Sequence, residues 1–78
     1  MFFVYSLGSE DGVHWYVGIT DDVQRRLMEH NDGRSVHTNK YRPWRLSSYT
    51  AFIDRKRAEK FECYLKSHSG RAFVKRHL

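Results

Sequence analysis

Two tyrosines near the start of the chain, Tyr5 and Tyr16, are the first residues whose type and position could do chemistry. Both fall in segments rich in β-branched and aromatic residues, and the turn-like stretch between these segments predicts a hairpin. If Tyr5 pairs with Tyr16, Gly18 lies opposite Phe3 and the two phenols stand side by side on one face. Such a pair can carry protons; the simpler interpretation is two good strand formers with surface hydroxyls.

A cation and an imidazole follow on the first predicted helix. Arg26 and His30 are four residues apart, so they lie on one helix face, a turn apart. Together they could grip one phosphate group. The alternative is an exposed arginine and a histidine that favours the negative end of the helix dipole.

A single carboxylate late in the chain is the third candidate. Glu62 borders the apolar stripe of the second predicted helix, where a carboxylate is costly unless a cation meets it. A divalent metal or an arginine would serve as that cation. The alternative is an ordinary ion pair with Lys66, four residues later.

Three strands and three helices are expected to position these side chains. Strands are predicted over residues 2–7, 13–19 and 44–53, and helices over residues 21–31, 54–67 and from about 70 to 77. Thr20 or Asp21 should cap the first helix and Asp54 the second, while Ser69 and Gly70 should separate the last two. Residues 33–43 are polar and aperiodic, which indicates a surface connection. The pattern predicts one α+β domain over residues 1–78, with helices on a three-stranded sheet.

The charge distribution points to a polyanionic partner. Fourteen Lys and Arg against nine Asp and Glu give a net charge of +5. Residues 1–24 contain four acids and no Lys or Arg, whereas residues 25–78 contain all fourteen basic residues and five acids. Basic residues interleaved with aromatics are typical of nucleic-acid binders, although a solvated basic face would look the same.

Several classes of protein and site are disfavoured by what the chain lacks. No apolar run approaches the roughly 20 residues that span a bilayer, so no membrane association is expected. Cys63 is the only cysteine, which rules out an intrachain disulfide and a thiolate zinc site. We expect a cytoplasmic protein, associated with the nucleoid if it is bacterial.

Taken in order, the motifs resemble the GIY-YIG nuclease superfamily, in the small single-domain form related to structure-specific and excision-repair nucleases. Phe3-Val4-Tyr5 is similar to the first motif and Tyr16-Val17-Gly18 to the second, followed by a helix over residues 22–31. Residues 40–44 resemble the basic Arg-Pro-Trp loop, residues 57–66 the helix with the acidic metal ligand, and residues 69–73 the closing segment. Phe3 and Val4 replace the glycine and isoleucine of the first motif, and no asparagine follows Asn39.

The resemblance implies a three-stranded antiparallel sheet flanked by helices, and an endonuclease that hydrolyses DNA phosphodiester bonds. The implied catalytic residues are Tyr5, Tyr16, Arg26, His30 and Glu62. Glu62 would hold Mg²⁺ or Mn²⁺, and Tyr5 would be the general base, with its pKa lowered by nearby positive charge or its proton passed to Tyr16 or His30.

Residues outside the catalytic set are expected to hold the nucleic acid. These are Lys40, Arg42, Trp44, Arg45, Arg57, Lys60, Lys66 and Arg71. Trp44 or Tyr41 would stack on an unpaired base. A domain this small reads shape rather than a long sequence, so branched or damaged duplexes in DNA repair, and a targeting protein partner, are expected. Two alternatives remain: a nuclease-like domain that binds without cutting, and a basic RNA-associated protein.

Overall fold

The computed structural model describes residues 1–77, with the backbone alone at His77. Its strands are β1 (Phe2–Ser9), β2 (Trp15–Thr20) and β3 (Trp44–Phe52). Its helices are α1 (Val23–Asn31), α2 (Arg55–Lys66) and α3 (His68–His77), and a short 3₁₀ turn covers Asn39–Tyr41. Within residues 1–77, no helix combines the length and the apolar character that crossing a bilayer requires.

The three strands form one antiparallel sheet in the order β2-β1-β3, with the N-terminal strand in the centre. This confirms the predicted α+β class and the three-stranded sheet. One extra residue of β3, Ser47, produces a bulge, because Ser6 pairs with Ser48 while Leu7 pairs with Leu46.

The predicted hairpin register is wrong by two residues. Tyr5 pairs with Gly18, and Tyr16 pairs with Leu7. The hairpin closes beyond the predicted strand end, at Ser9, whose backbone N–H donates to the His14 carbonyl over 2.9 Å. A shift of two keeps every side chain on its predicted face, so the two tyrosines still share a face but lie diagonally.

The helix boundaries correct one of the predicted caps and confirm the other. Asp22, not Thr20 or Asp21, caps α1, and its carboxylate accepts from the Arg25 backbone N–H over 3.0 Å. The prediction for Asp54 is correct, because it caps α2 by accepting from the Lys56 backbone N–H.

The break between α2 and α3 lies earlier than predicted. Ser67 separates them, and its hydroxyl accepts from the Gly70 backbone N–H over 3.1 Å. Gly70 is therefore inside the first turn of α3 rather than in the break. A side chain there would collide with the Tyr64 carbonyl oxygen, so the close approach of the two helices requires glycine.

The alternation of side chains along β1 gives the sheet two different faces. The apolar face packs against α2 and α3, and its buried side chains are Val4, Val17, Ala58, Leu65 and Val74. The tyrosine face packs against α1, with Tyr5, Leu7 and Trp44 buried and Tyr16, Leu27 and Leu46 partly buried beside them. The residues of the first hairpin and of α1 that could do chemistry therefore meet on the tyrosine face.

Candidate active site

Tyr5 occupies the centre of the tyrosine face. Its side chain is only 2% exposed, and its Oη lies 2.8 Å from Nε2 of His30, a hydrogen bond between the central strand and α1. His30 is itself fully buried. The predicted grip of one phosphate by Arg26 and His30 together is therefore wrong, because His30 turns inward towards Tyr5.

The partner of Tyr5 across the hairpin must be a glycine. A Cβ at Gly18 would stand 2.5 Å from the Tyr5 hydroxyl oxygen and 2.8 Å from the ring carbon that carries it. The tyrosine ring thus lies over the backbone of β2 at the point where no side chain can be placed. The sequence shows a glycine at position 18, but the reason for it becomes clear only from the register that pairs Gly18 with Tyr5.

Tyr16 lies diagonally from Tyr5 and completes a group of three rings. Its ring centroid is 6.3 Å from that of Tyr5 and 5.0 Å from the imidazole of His30. Tyr16 is on the edge strand β2 and is partly exposed. Of the two phenols, it is the one that reaches the surface.

A buried threonine continues the hydrogen-bonded chain beyond His30. The second ring nitrogen of His30, Nδ1, lies 2.7 Å from Oγ1 of Thr38, and the Thr38 carbonyl accepts from Trp44 Nε1 over 2.8 Å. Both nitrogens of the imidazole therefore have partners. Sequence reasoning missed Thr38, because a hydroxyl in a polar loop without periodicity gives no signal of its burial.

Trp44 is held in the core rather than presented to a ligand. Its side chain is 5% exposed, and its backbone N–H and carbonyl bond the Asn31 side-chain amide over 2.6 and 3.0 Å. The prediction that Trp44 stacks on a base is therefore wrong, since both faces of a buried indole are covered. Tyr41 is exposed, but one face of its ring stacks on His14 at 3.6 Å between centroids.

Arg26 is a cation that bears on the phenol of Tyr5 through hydrogen bonding and charge. Its Nη1 donates to Glu29 Oε1 over 2.9 Å, and it lines a groove of about 450 Å³ that also contains Arg25, Glu29 and Arg55. Burial, the largest influence, raises the pKa of Tyr5 to about 12, although hydrogen bonding and charge from Arg26 lower it in part. Of the two routes considered for Tyr5, a pKa lowered by nearby charge and a proton relay, the first is therefore contradicted and the second is left.

The pKa of the His30 imidazole is shifted in the direction that keeps the ring neutral. Burial lowers the pKa of His30 below its ordinary 6.5, and the positive charge of Arg26 lowers it further. At neutral pH the ring is uncharged, so one of its nitrogens can accept a proton.

Glu62 lies within electrostatic reach of the same site. Its negative charge is among the influences that raise the pKa of Tyr5. The carboxylate is 21% exposed, and its Oε2 lies 3.3 Å from Nζ of Lys66, so the ion pair considered as an alternative is also present. Glu62 therefore pairs with a lysine, and its charge is the weakest of the influences on the pKa of Tyr5.

Comparison with known proteins identifies the family of this chain. The family model described as the GIY-YIG catalytic domain matches residues 1–76. The chain belongs to the GIY-YIG family. GIY-YIG domains are nucleases, so the tyrosine face and Arg26, together with Glu62 from α2, form the candidate active site of a nuclease, and the substrate class is nucleic acid.

Two relatives of this GIY-YIG domain are UPF0213 proteins. It is 37% identical over 70 residues to the UPF0213 protein BH0048 of Halalkalibacterium halodurans. The aligned region covers 88% of this chain and 73% of the relative. It is 34% identical over 65 residues to the UPF0213 protein YazA of Bacillus subtilis, covering 82% and 65%. The solution NMR structure of the UPF0213 protein BH0048 from Bacillus halodurans superposes with a TM-score of 0.56 at 33% identity, covering 95% of this chain and 82% of that one.

The side chains fit a divalent metal held mainly by water and substrate. Within residues 1–77, no group of three or more His, Cys, Asp or Glu side chains could enclose an ion. Mg²⁺ commonly uses one or two carboxylates and completes its shell with water and phosphate oxygens. Glu62, partly exposed and paired through one oxygen only, meets that requirement with its other oxygen.

The predicted nucleic-acid contacts, Trp44 excepted, are all on the surface. The exposed residues of this set are Lys40, Arg42, Arg45, Arg57, Lys60, Lys66 and Arg71. Two of them have structural partners. Lys66 pairs with Glu62, and Arg42 lies over Gly33 and donates from Nε to the Asn39 carbonyl over 2.9 Å.

Proposed function

We propose that this domain is a divalent-metal-dependent DNA endonuclease that recognises the structure of its substrate rather than a sequence. The observation that carries the proposal is the hydrogen bond between Tyr5 and a buried His30, with Arg26 bearing on the same phenol and Glu62 of α2 contributing a weaker electrostatic influence. Each group that phosphodiester hydrolysis requires is then present: a proton acceptor, a cation for the phosphate and a metal ligand.

The buried hydrogen bonds give the proton a path from water. In our assignment Tyr5 accepts a proton from the attacking water as its own hydroxyl proton moves to Nε2 of His30. Nδ1–H of the resulting imidazolium donates to the hydroxyl of Thr38, which is 2.7 Å away. A pKa of about 12 is compatible with this role because no free phenolate has to accumulate before the transfer. Gly18 contributes no side chain over the Tyr5 hydroxyl.

The charged groups at the rim act on the phosphate. Arg26 would donate to its nonbridging oxygens, after the guanidinium leaves or shares its bond with Glu29. A Mg²⁺ or Mn²⁺ ion held by Glu62 would polarise the phosphate and stabilise the leaving oxygen. Arg45, Arg57 and Lys60 would neutralise neighbouring phosphates, so affinity should decrease with salt for every sequence.

The proposed substrates are branched or damaged DNA duplexes, as in repair. A domain of this size covers few base pairs, which favours recognition of shape or delivery by a protein partner. A cytoplasmic location, with nucleoid association in a bacterium, stays a prediction. The second candidate is a binding module without catalysis; the 3.3 Å contact between Glu62 and Lys66 favours it, since a paired carboxylate is less available to a metal.

The proposal is tested by a nicking assay on plasmid, linear and branched DNA, with and without Mg²⁺. Glu62→Gln should reduce Mg²⁺-dependent cleavage to background while DNA binding in EDTA stays within about twofold. Glu59→Gln is the matched control, because Glu59 is on the same helix, exposed and paired with Arg55. Equal cleavage by wild type and Glu62→Gln would contradict the metal role, and no cleavage of any substrate by wild type would favour the binding module.

A further inference from the structure

A second groove lies away from the catalytic rings, where the tip of the first hairpin faces α3. Its volume is about 620 Å³, and the residues that matter here are Val13, His14, Trp15, Arg71, Val74 and Lys75. It is on the side of the sheet that carries the apolar face, since Val74 belongs to that core. None of the residues in the candidate active site lines it.

The groove has the charge of a site for an anion. Arg71 and Lys75 are four residues apart on α3, so both side chains lie on one face of the helix. Both are exposed, and none of the ion pairs between described residues involves either of them. No carboxylate from the described part of the chain lines the groove.

The groove also contains the exposed indole of Trp15 and open space above Gly8. Trp15 is 36% exposed in a protein whose other tryptophan, Trp44, is buried. The residue that pairs with Trp15 is Gly8, and no atom lies within 4 Å of the position that a Cβ would take there. A flat ring can therefore lie beside the indole over the glycine.

The edge of the sheet connects this groove to the candidate active site. Trp15 and Tyr16 are consecutive residues of β2, which is an edge strand, so their side chains are on opposite faces of the same edge. Trp15 is three residues from Gly18, a distance of about 10 Å along a strand. That is roughly the rise of three nucleotides in one strand of DNA.

We propose that this groove binds a single-stranded segment of DNA that continues from the duplex at the active site, and the inference rests on the proposed function. Trp15 stacks on an unpaired base, and Arg71 and Lys75 contact the phosphates on either side of it. Aromatic stacking combined with a basic groove is the general chemistry of single-strand recognition. The substrate class is then a duplex with a single-stranded arm.

Tryptophan fluorescence tests the stacking directly. Oligothymidylate is titrated in EDTA, so that binding is measured without cleavage. We expect quenching in the wild type, and Trp15→Leu should lose the quenching and bind about 5- to 100-fold more weakly by anisotropy of labelled oligothymidylate. Trp15→Phe should retain most of the affinity because it retains a stacking face, and circular dichroism checks that each variant is folded.

A charge-matched pair of double variants tests the phosphate contacts. Arg71→Ala/Lys75→Ala should reduce the slope of log affinity against log salt by about 1.4, which corresponds to two phosphate contacts with a single strand. Lys56→Ala/Arg76→Ala removes the same charge outside the groove and should change the slope much less. Equal slopes for the two double variants would overturn the assignment of Arg71 and Lys75.

Three results would contradict the binding of single-stranded DNA in this groove and leave the nuclease proposal unaffected. They are unchanged affinity of Trp15→Leu, equal quenching by a blunt duplex, and displacement of oligothymidylate by polyglutamate at equal charge concentration. The failure of the nuclease proposal is distinguishable, because wild type would then cleave no substrate while Trp15-dependent binding persists. If both hold, Trp15→Leu cleaves an armed duplex more slowly than wild type and a blunt duplex at the same rate.

Discussion

The two faces of the sheet are built from the same strands but bury different chemistry. The apolar face covers aliphatic side chains from β1, α2 and α3. The tyrosine face buries a phenol, an imidazole and a hydroxyl in one chain of hydrogen bonds, from Tyr5 through His30 to Thr38. No buried polar side-chain atom among the described residues lacks a partner. Both faces therefore contribute hydrophobic stability, and the tyrosine face in addition holds reactive groups at fixed distances.

Truncation on the apolar face should have the largest effect on stability. Leu65 is buried in the core between α2 and the sheet. Leu65→Ala should lower the free energy of unfolding by about 2–5 kcal/mol, because it removes buried methyl groups and leaves a cavity. Urea denaturation measures the change, with Ile53→Ala, 86% exposed, as the control. If both variants lose similar stability, the burial of Leu65 in the apolar core is contradicted.

Truncation at the rim of the tyrosine face should affect turnover instead. Arg26→Ala should reduce the cleavage rate about 10²- to 10³-fold, as expected when a group that stabilises transition-state charge is removed. The free energy of unfolding should change by less than about 1 kcal/mol, because the pair with Glu29 is partly exposed. Single-turnover kinetics and denaturation check the two halves. Arg25→Ala, whose guanidinium pairs with Asp21, is the control.

A single methyl group should disturb the reactive face from inside. In Gly18→Ala the new Cβ would stand 2.5 Å from the Tyr5 hydroxyl, so the ring has to move and its hydrogen bond to His30 is lost. We expect a destabilisation of about 1–3 kcal/mol and a loss of cleavage. Gly8→Ala is the matched control, because its Cβ meets nothing within 4 Å. An active, fully stable Gly18→Ala would contradict the placement of Tyr5.

The buried imidazole should make stability depend weakly on pH. The pKa of His30 is lowered in the folded protein, so the unfolded chain binds more protons between that value and 6.5. His30 therefore contributes stability that is complete above pH 6.5 and decreases as pH falls through the lowered pKa. Denaturation at several pH values, compared with His30→Gln, measures this contribution. A stability difference between the two proteins that is constant across this range would contradict it.

The sequence predicts the elements of this fold because their signals are local. β-rich segments, an aspartate cap at residue 54 and helical spacing depend on neighbours in the chain. The shared face of Arg26 and His30 was also predictable in part, since both lie on α1 four residues apart. However, only Arg26 is partly exposed to solvent, whereas His30 is buried and faces the sheet.

Long-range pairing was the part that the sequence could not supply. The predicted register of the first hairpin differs from the observed one by two residues, because strand faces repeat every second residue and both registers satisfy the hydrophobic pattern. The basic loop predicts a stacking role for Trp44, yet its indole fills the core. The buried hydroxyl of Thr38 and the upward shift in the pKa of Tyr5 follow only from tertiary burial.

The side-chain amide of Asn31 has a consequence for how the catalytic helix is held. It exchanges two hydrogen bonds with the backbone of Trp44, as the peptide group of an additional strand would. The last residue of α1 is thereby joined to the first residue of β3, thirteen positions later. The intervening loop can change its outer surface in evolution without altering the distance between guanidinium and phenol, provided that this joint and the inward threonine are kept.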